Sequence, residues 1–137
     1  MANEKIGFVV ADFNSDITKM MEKVGREHSK FLGAEVEKTI YVPGAFDMPI
    51  AVKKLLKDKD IDGVVTIGTV IEGDTDHDTV VAQHAARKIM DLSIEFDKPV
   101  SLGISGPKIS RAESMNRIEE YAKRAVETTI KLIRRLK

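Results

Sequence analysis

Hydrophobic and polar positions follow two different periods along the chain, and four short stretches have the pattern of β-strands. Three of them are almost continuously apolar, as expected of parallel strands that are buried on both faces. The other alternates apolar and charged residues, which is typical of a strand at the edge of a sheet. In chain order the predicted strands cover residues 5–11, 34–42, 63–68 and 100–104, and the second of these is the alternating one.

The stretches between these strands place apolar residues three and four positions apart, which predicts helices. The first predicted helix begins at Ser15, which acts as its N-terminal cap, and ends at Gly33. The other three cover residues 48–57, 76–96 and 111–137. Two capping boxes are expected, Thr75 with Asp78 and Ser110 with Glu113.

Strict alternation of strand and helix predicts the fold class. Because parallel strands need right-handed crossovers, the helices must cover both faces of one sheet. We therefore expect an α/β protein, a three-layer α/β/α sandwich with a flavodoxin-like four-stranded parallel sheet. Residues 1–137 contain no linker or repeat, so a single domain is expected.

Polar and small residues concentrate where the predicted strands end. These stretches are residues 12–14, 43–47, 69–77 and 105–107. The carboxyl ends of parallel strands meet at one edge of a sheet, which is where open α/β sheets bind ligands. The sequence therefore predicts one site at this edge.

Composition narrows the class of function. The chain has 22 Lys and Arg against 22 Asp and Glu, which argues against nucleic acid or an anionic membrane as a partner. It has no Cys, so a disulfide, a zinc-thiolate site and a thiol nucleophile are excluded. No apolar run approaches the length of a membrane span, and residues 1–5 lack the pattern of a secretion signal, so we expect a cytoplasmic protein.

The loop before the third predicted helix is the densest group of titratable residues. Gly73 permits close approach of a ligand to the backbone, and free N–H groups in the first helical turn can bind an anion. His77 in the same turn can move protons near neutral pH. A capped helix with an exposed His explains these residues equally well, so their spacing alone leaves both interpretations open.

A metal site is a weaker interpretation of the same loop. Asp74, Asp76 and Asp78 alternate as at the start of a calcium loop, but Thr79 and Ala85 stand where that loop needs Gly and Glu. We expect no metal.

Two other strand ends carry residues suited to a flat heterocycle. Phe13 can stack on a ring and Asn14 can hydrogen-bond to it, although packing and a turn are simpler roles. The loop Gly44-Ala45-Phe46-Asp47 offers backbone amides and a carboxylate, or a plain turn with a cap.

Two other functions of such folds are disfavoured. No Gly-x-Gly-x-x-Gly follows a strand, which argues against a dinucleotide site. The third strand ends in Gly68-Thr69, without the phosphoacceptor Asp of a response regulator.

Taken together, these residues resemble the 6,7-dimethyl-8-ribityllumazine synthase family from about Ile6 to the last helix. The matching stretches are Phe13-Asn14, Val42 to Pro49, Ala51 to Lys54, Gly68-Thr69-Val70-Ile71-x-Gly73-x-Thr75-x-His77 and Gly103-Ile104. The resemblance implies condensation of 5-amino-6-(ribitylamino)uracil with 3,4-dihydroxy-2-butanone 4-phosphate, which releases phosphate and water in riboflavin biosynthesis. It implies no metal or redox cofactor.

The resemblance also implies roles for individual residues. His77 falls on the proton-transfer histidine. The other implied positions are substrate binding by Phe13, Asn14, Ala45, Phe46, Asp47, Thr69, Val70, Ile71 and Leu102, and phosphate binding by Gly73, Asp74, Thr75 and Arg117. Leu102 and Arg117 match positions that a neighbouring subunit contributes, since family members form homopentamers, often assembled into icosahedral shells.

Three departures from the family pattern stand out. Asp47 replaces the commoner Glu, and Leu102 stands where many members have Phe. The last helix matches loosely, so Arg111 or Lys123 is an alternative to Arg117 as the phosphate anchor. Rival functions are an archaeal-type riboflavin synthase, whose family lacks the Gly-x-Thr-x-His loop, and a non-catalytic flavin-binding or shell-forming protein.

Overall fold

A computed structural model describes residues 3–137, so Met1 and Ala2 of the predicted domain lie outside the described part. The elements follow the predicted order: β1 (Lys5–Ala11), α1 (Ser15–Phe31), β2 (Glu35–Val42), α2 (Met48–Leu56), β3 (Gly63–Ile71), α3 (His77–Phe96), β4 (Val100–Ile109), α4 (Arg111–Asn116) and α5 (Ile118–Arg135). A 3₁₀ turn, Ala45–Asp47, leads into α2. Between residues 3 and 137, no helix has the length and apolarity needed to cross a membrane.

The four strands form one parallel sheet in the order β2-β1-β3-β4. β1 lies between β2 and β3, with Val9 opposite Ile40 on one side and Thr66 on the other. β2 is an edge strand, as its alternating pattern predicts. The predicted α/β class and flavodoxin-like sheet are confirmed.

Apolar side chains cover both faces of the sheet, because successive residues of a strand point to opposite sides. Phe8 and Val10 pack into one layer with α1 and α5, and Val9 and Ala11 into the other with α2 and α3. Full burial of a side chain of this kind contributes roughly 1.5–3 kcal/mol. Phe8 is the one phenylalanine among the fully buried side chains of residues 3–137, so the core consists mainly of aliphatic residues.

Four details of the predicted elements are wrong. β3 and β4 continue to Ile71 and Ile109, because pairing resumes after an irregularity at Gly106, whose φ is 104°. The predicted last helix is two helices that meet at Arg117, with φ −108° and ψ 6°. Ser15 does not cap α1; Asn14 precedes that helix in a left-handed conformation.

β4 lies unusually close to its neighbours at Gly103. The Gly103 N–H donates to Thr66 Oγ1 at 3.1 Å, and Thr66 Oγ1 donates to the Ser101 carbonyl at 2.8 Å. A Cβ atom on Gly103 would lie 2.1 Å from the Thr66 carbonyl oxygen and 2.9 Å from Ala125 Cβ. A side chain at this position therefore forces β4 away from β3 and α5.

We expect Gly103→Ala to lower the free energy of unfolding by about 3 kcal/mol, the upper end of the usual cost of overpacking. Urea unfolding at matched protein concentration measures this change. Gly73→Ala is the matched control, because a Cβ there meets no atom within 4 Å. Equal stability of the two variants would contradict the close approach of β4.

Candidate functional site

A cavity of about 220 Å³ lies at the carboxyl edge of the sheet, and we call it the Phe13 pocket. The segments that follow β1 and β2, the last residues of β3 and the first turns of α3 form its walls. Its lining residues are Phe13, Asn14, Gly44, Ala45, Phe46, Asp47, Thr69, Val70, Ile71, His77 and Val81. The structure thus brings together the residues that were predicted to hold a ring and to transfer protons, except Leu102.

Phe13 is held in place by the loop after β2. Its N–H donates to the Pro43 carbonyl at 2.9 Å, which extends the pairing of β1 and β2 into the two loops. A Cβ on Gly44 would lie 2.7 Å from Phe13 Cδ2, so the absence of a side chain at Gly44 lets the ring rest against this loop. Phe13 and Phe46 are each 64% exposed. Exposed aromatic rings beside a cavity suit stacking on a flat ligand.

Asn14 combines a backbone role with a polar side chain. Its φ of 60° and ψ of 49° lie in the left-handed region, which Asn tolerates better than most residues. Its side-chain oxygen, Oδ1, accepts a hydrogen bond from Arg111 Nη1 at 3.2 Å. A guanidinium can only donate hydrogen bonds, so Arg111 occupies the amide oxygen of Asn14 and leaves its Nδ2 group to donate to a ligand.

Arg111, the first residue of α4, links the pocket to α1. Its guanidinium pairs with the Asp16 carboxylate as well as with Asn14. The hydrogen bond from Arg111 holds the pKa of the Asp16 carboxyl below its usual value. The arrangement places a cation beside Asn14 within a single chain.

The 3₁₀ turn after β2 presents Phe46 and Asp47. The Asp47 Oδ2 atom accepts a hydrogen bond from the Gly44 N–H at 3.0 Å. This bond fixes the carboxylate at the pocket wall, where it can also accept from donors on a ligand.

His77 is the first residue of α3 and also lines the Phe13 pocket. Its N–H donates to Thr75 Oγ1 at 3.3 Å. The predicted capping box with Asp78 is wrong: Asp78 is buried, and its Oδ2 accepts from the Lys108 N–H at 2.9 Å. Asp78 therefore joins the start of α3 to the end of β4.

The acidic loop does not form a cation cage. Within residues 3–137, no group of three His, Asp or Glu side chains is arranged to hold a metal ion. Asp74 and Asp76 are exposed, whereas Asp78 is directed at the Lys108 backbone.

The remaining predicted residues lie outside the Phe13 pocket. Gly73, Asp74 and Thr75 are on the exposed loop before His77. Leu102 lines a separate groove together with Met90 and Ile94. Arg117 precedes α5 and forms a salt bridge with Glu120 at 3.3 Å. Lys123 lies on α5 and forms a salt bridge with Glu119 at 2.6 Å.

Val81 is a lining residue that the sequence interpretation missed. It follows His77 by four residues on α3, and such residues lie on the same side of a helix. That spacing was the signal that could have identified it.

A larger groove of about 490 Å³ lies between α2 and α3. It is lined by Phe46, Pro49, Val80, His84, Ala85 and Lys88, and the strand-end loops do not converge on it.

Comparison with known proteins decides the family. The sequence model of the family described as 6,7-dimethyl-8-ribityllumazine synthase matches residues 3–137. The chain belongs to the 6,7-dimethyl-8-ribityllumazine synthase family. Similar proteins of that name include one from Methanosarcina barkeri, 66% identical over 96% of this chain and 97% of the relative. Another, from Archaeoglobus fulgidus, is 62% identical over 100% of this chain and 95% of the relative.

Membership of the lumazine synthase family confirms the predicted resemblance. It also confirms the predicted class of enzyme, a transferase of riboflavin biosynthesis. The rival riboflavin synthase is not favoured, since the similar proteins carry the lumazine synthase name.

The two roles of Asn14 can be separated by substitution. Asn14→Ala should lower the free energy of unfolding by about 1 kcal/mol, because an L side chain without a local polar group is strained at positive φ. Asn14→Gly should retain stability, since glycine adopts this conformation freely. Thermal unfolding of both variants measures the difference. If Asn14→Gly proved as unstable as Asn14→Ala, the side chain itself would be the stabilising element.

Proposed function

We propose that the Phe13 pocket carries out the reaction of the lumazine synthase family. That reaction joins 5-amino-6-(ribitylamino)uracil to 3,4-dihydroxy-2-butanone 4-phosphate and releases phosphate and water. Both substrates are small and must meet in one orientation. Most of the acceleration can therefore come from holding them side by side.

The pyrimidine ring lies against Phe13 in this proposal. Asn14 Nδ2 donates to the ring, and the backbone of Thr69 to Ile71 holds its polar edge. Asp47 accepts hydrogen bonds from the ribityl hydroxyls. The exposure of the Phe13 and Phe46 rings at the lining of this cavity supports this placement.

His77 is the proposed proton-transfer group. Forming the imine, eliminating phosphate and closing the second ring each move a proton, and an imidazole can both donate and accept near neutral pH. Its position in the first turn of α3, next to the proposed phosphate loop, places it beside the second substrate.

The phosphate is proposed to bind on the loop of Gly73, Asp74 and Thr75, at the start of α3. Free backbone N–H groups of a first helical turn favour an anion, but Asp74 and Asp76 repel it. An arginine must offset these charges. Arg117 of a neighbouring copy is the proposed anchor, and Arg111 of the same chain is the alternative because it already lies beside Asn14.

We also propose that the copies form a homopentamer, which can assemble further into an icosahedral shell. Leu102 and Arg117 lie away from the Phe13 pocket of their own chain, as residues that complete a neighbour's site would. Leu102, Met90 and Ile94 form an exposed apolar patch suited to contact between copies. A mass in solution of five times the 15.2 kDa chain, or a multiple of that, is expected.

One observation carries the proposal: the exposed Phe13 and Phe46 rings, the Asp47 carboxylate and His77 line one cavity. The test incubates the protein with both substrates and follows the absorbance of the lumazine product. A parallel sample receives lumazine alone. Riboflavin formed from lumazine alone would indicate a riboflavin synthase, and no product in either sample would overturn enzymatic function.

His77→Ala should lower kcat roughly 10- to 1000-fold, somewhat less than a typical general acid-base contribution, because positioning of the two substrates supplies much of the acceleration. The matched control is His84→Ala. His84 lies two turns further along α3 and lines the other groove, so its removal should leave kcat unchanged. Steady-state kinetics with both substrates measure the effect. Full turnover by His77→Ala would rule out this residue as the proton-transfer group.

Arg117→Ala should raise KM for the butanone phosphate about 10-fold or more, with a small effect on KM for the pyrimidine, since a hydrogen bond to a charged group is lost. Arg111→Ala provides the comparison in the same assay.

Mixed assembly then tests whether Arg117 acts on a neighbour. His77→Ala and Arg117→Ala chains are mixed in equal amounts and refolded together. If each site takes its arginine from the next copy, about a quarter of the sites in the mixture should combine an intact His77 with an intact Arg117. At limiting butanone phosphate this mixture should be more active than either variant alone. A mixture no more active than its parts would place the anchor within one chain.

A further inference from the structure

Three hydroxyl groups meet beneath the Phe13 pocket, and none belongs to a residue given a chemical step above. Ser105 Oγ donates to Thr69 Oγ1 at 2.7 Å, and Thr69 Oγ1 lies 2.7 Å from Ser114 Oγ. Ser114 and Ser105 close the triangle at 3.3 Å. All three side chains are buried, with 5% or less of each residue exposed. We call this group the hydroxyl cluster.

The cluster satisfies its own hydrogen bonds. Each hydroxyl has one proton to donate and lone pairs to accept, so a ring in which each donates once and accepts once matches all three distances. A buried hydroxyl without a partner is costly. Removing one member therefore leaves a partner unsatisfied in the interior.

Ser114 is the attachment of α4 to the sheet. It is the one buried residue of this six-residue helix. Met115, the large apolar side chain beside it, is 51% exposed. Because α4 buries no apolar side chain of its own, three ties hold it in position: the Ser114 hydroxyl, the bonds from Arg111 to Asn14 and Asp16, and its covalent neighbours. Of these, the Ser114 hydroxyl is the one that reaches the sheet.

Both arginine candidates for the phosphate anchor are tied to this short helix. Arg111 stands three residues before Ser114 and Arg117 three residues after it. The Arg117 N–H donates to the Ser114 carbonyl at 3.1 Å, at the break between α4 and α5. Any shift of Ser114 therefore displaces both guanidinium groups.

We infer that Ser114 is a positioning residue: through the hydroxyl cluster it fixes α4, and with it Arg111 and Arg117, against the ends of β3 and β4. This inference rests on the proposed function, in which one of these arginines binds the substrate phosphate.

The two sides of the cluster differ in how firmly they are held. Thr69 pairs with Ser105 in the β3 and β4 ladder, so backbone hydrogen bonds keep the pocket wall in place without the cluster. α4 has no such ladder. Loss of the Ser114 hydroxyl should therefore disturb the phosphate side of the site more than the pyrimidine side, which meets α4 through the Arg111 hydrogen bond to Asn14.

The experiment compares Ser114→Ala with Ser29→Ala. Ser29 is a buried helical serine whose hydroxyl bonds only to the Gly25 carbonyl of its own helix, at 2.7 Å, on the remote part of α1. Ser114→Ala should raise KM for the butanone phosphate about 3- to 10-fold, the effect expected from one lost hydrogen bond. KM for the pyrimidine and kcat should stay within about two-fold. Ser29→Ala should change none of these values.

A second variant and a second measurement guard against a purely structural explanation. Ser105→Ala retains the 2.7 Å contact between Thr69 and Ser114, so its effect on KM for the phosphate substrate should be smaller than that of Ser114→Ala. Amide hydrogen exchange of residues 111–117 should be faster in Ser114→Ala than in the parent protein, and unchanged in Ser29→Ala.

The outcomes separate the two ideas. Unchanged exchange in α4, or equal increases of KM for both substrates, would overturn the positioning role. Hydrogen exchange does not depend on turnover, so it measures how firmly Ser114 holds α4 even in a protein that forms no lumazine. Absence of lumazine formation by the parent protein would overturn the proposed function and, with it, the kinetic part of this inference.

Discussion

The parallel direction of all four strands is the constraint on which the site depends. Because every strand ends at the same edge of the sheet, loops far apart in sequence converge there. Phe13 follows β1, Phe46 and Asp47 follow β2, and His77 follows β3. The two apolar layers on the faces of the sheet keep these strand ends in fixed register, so substrates can meet rigid walls rather than mobile side chains.

Much of this arrangement could be predicted from local patterns. Continuous apolar runs identified β1 and β3, and the alternation of 34–42 identified an edge strand, because burial on one or two faces leaves a direct trace in sequence. Most residues of the Phe13 pocket could be located for the same reason: once the strands are known, their ends and the loops that follow are known too. Val81 was missed because it lies on α3, beyond the strand ends.

Features that depend on tertiary contacts left no such trace. The break at Arg117 is invisible to periodicity, since apolar residues continue through Met115 and Ile118 at helical spacing. Asp78 matched a capping box, but burial against Lys108 offered its carboxylate another donor. The hydroxyl cluster brings Thr69, Ser105 and Ser114 together from three elements, and isolated serines and threonines carry no sequence signal.

β2 has a consequence for how copies of this chain can meet. Its free side faces solvent, and its exposed positions include Glu35, Glu37 and Lys38. Charged side chains along an edge strand oppose the addition of another strand. The charged edge therefore disfavours pairing of β2 with a strand of another copy, and so protects the sheet against strand-by-strand aggregation.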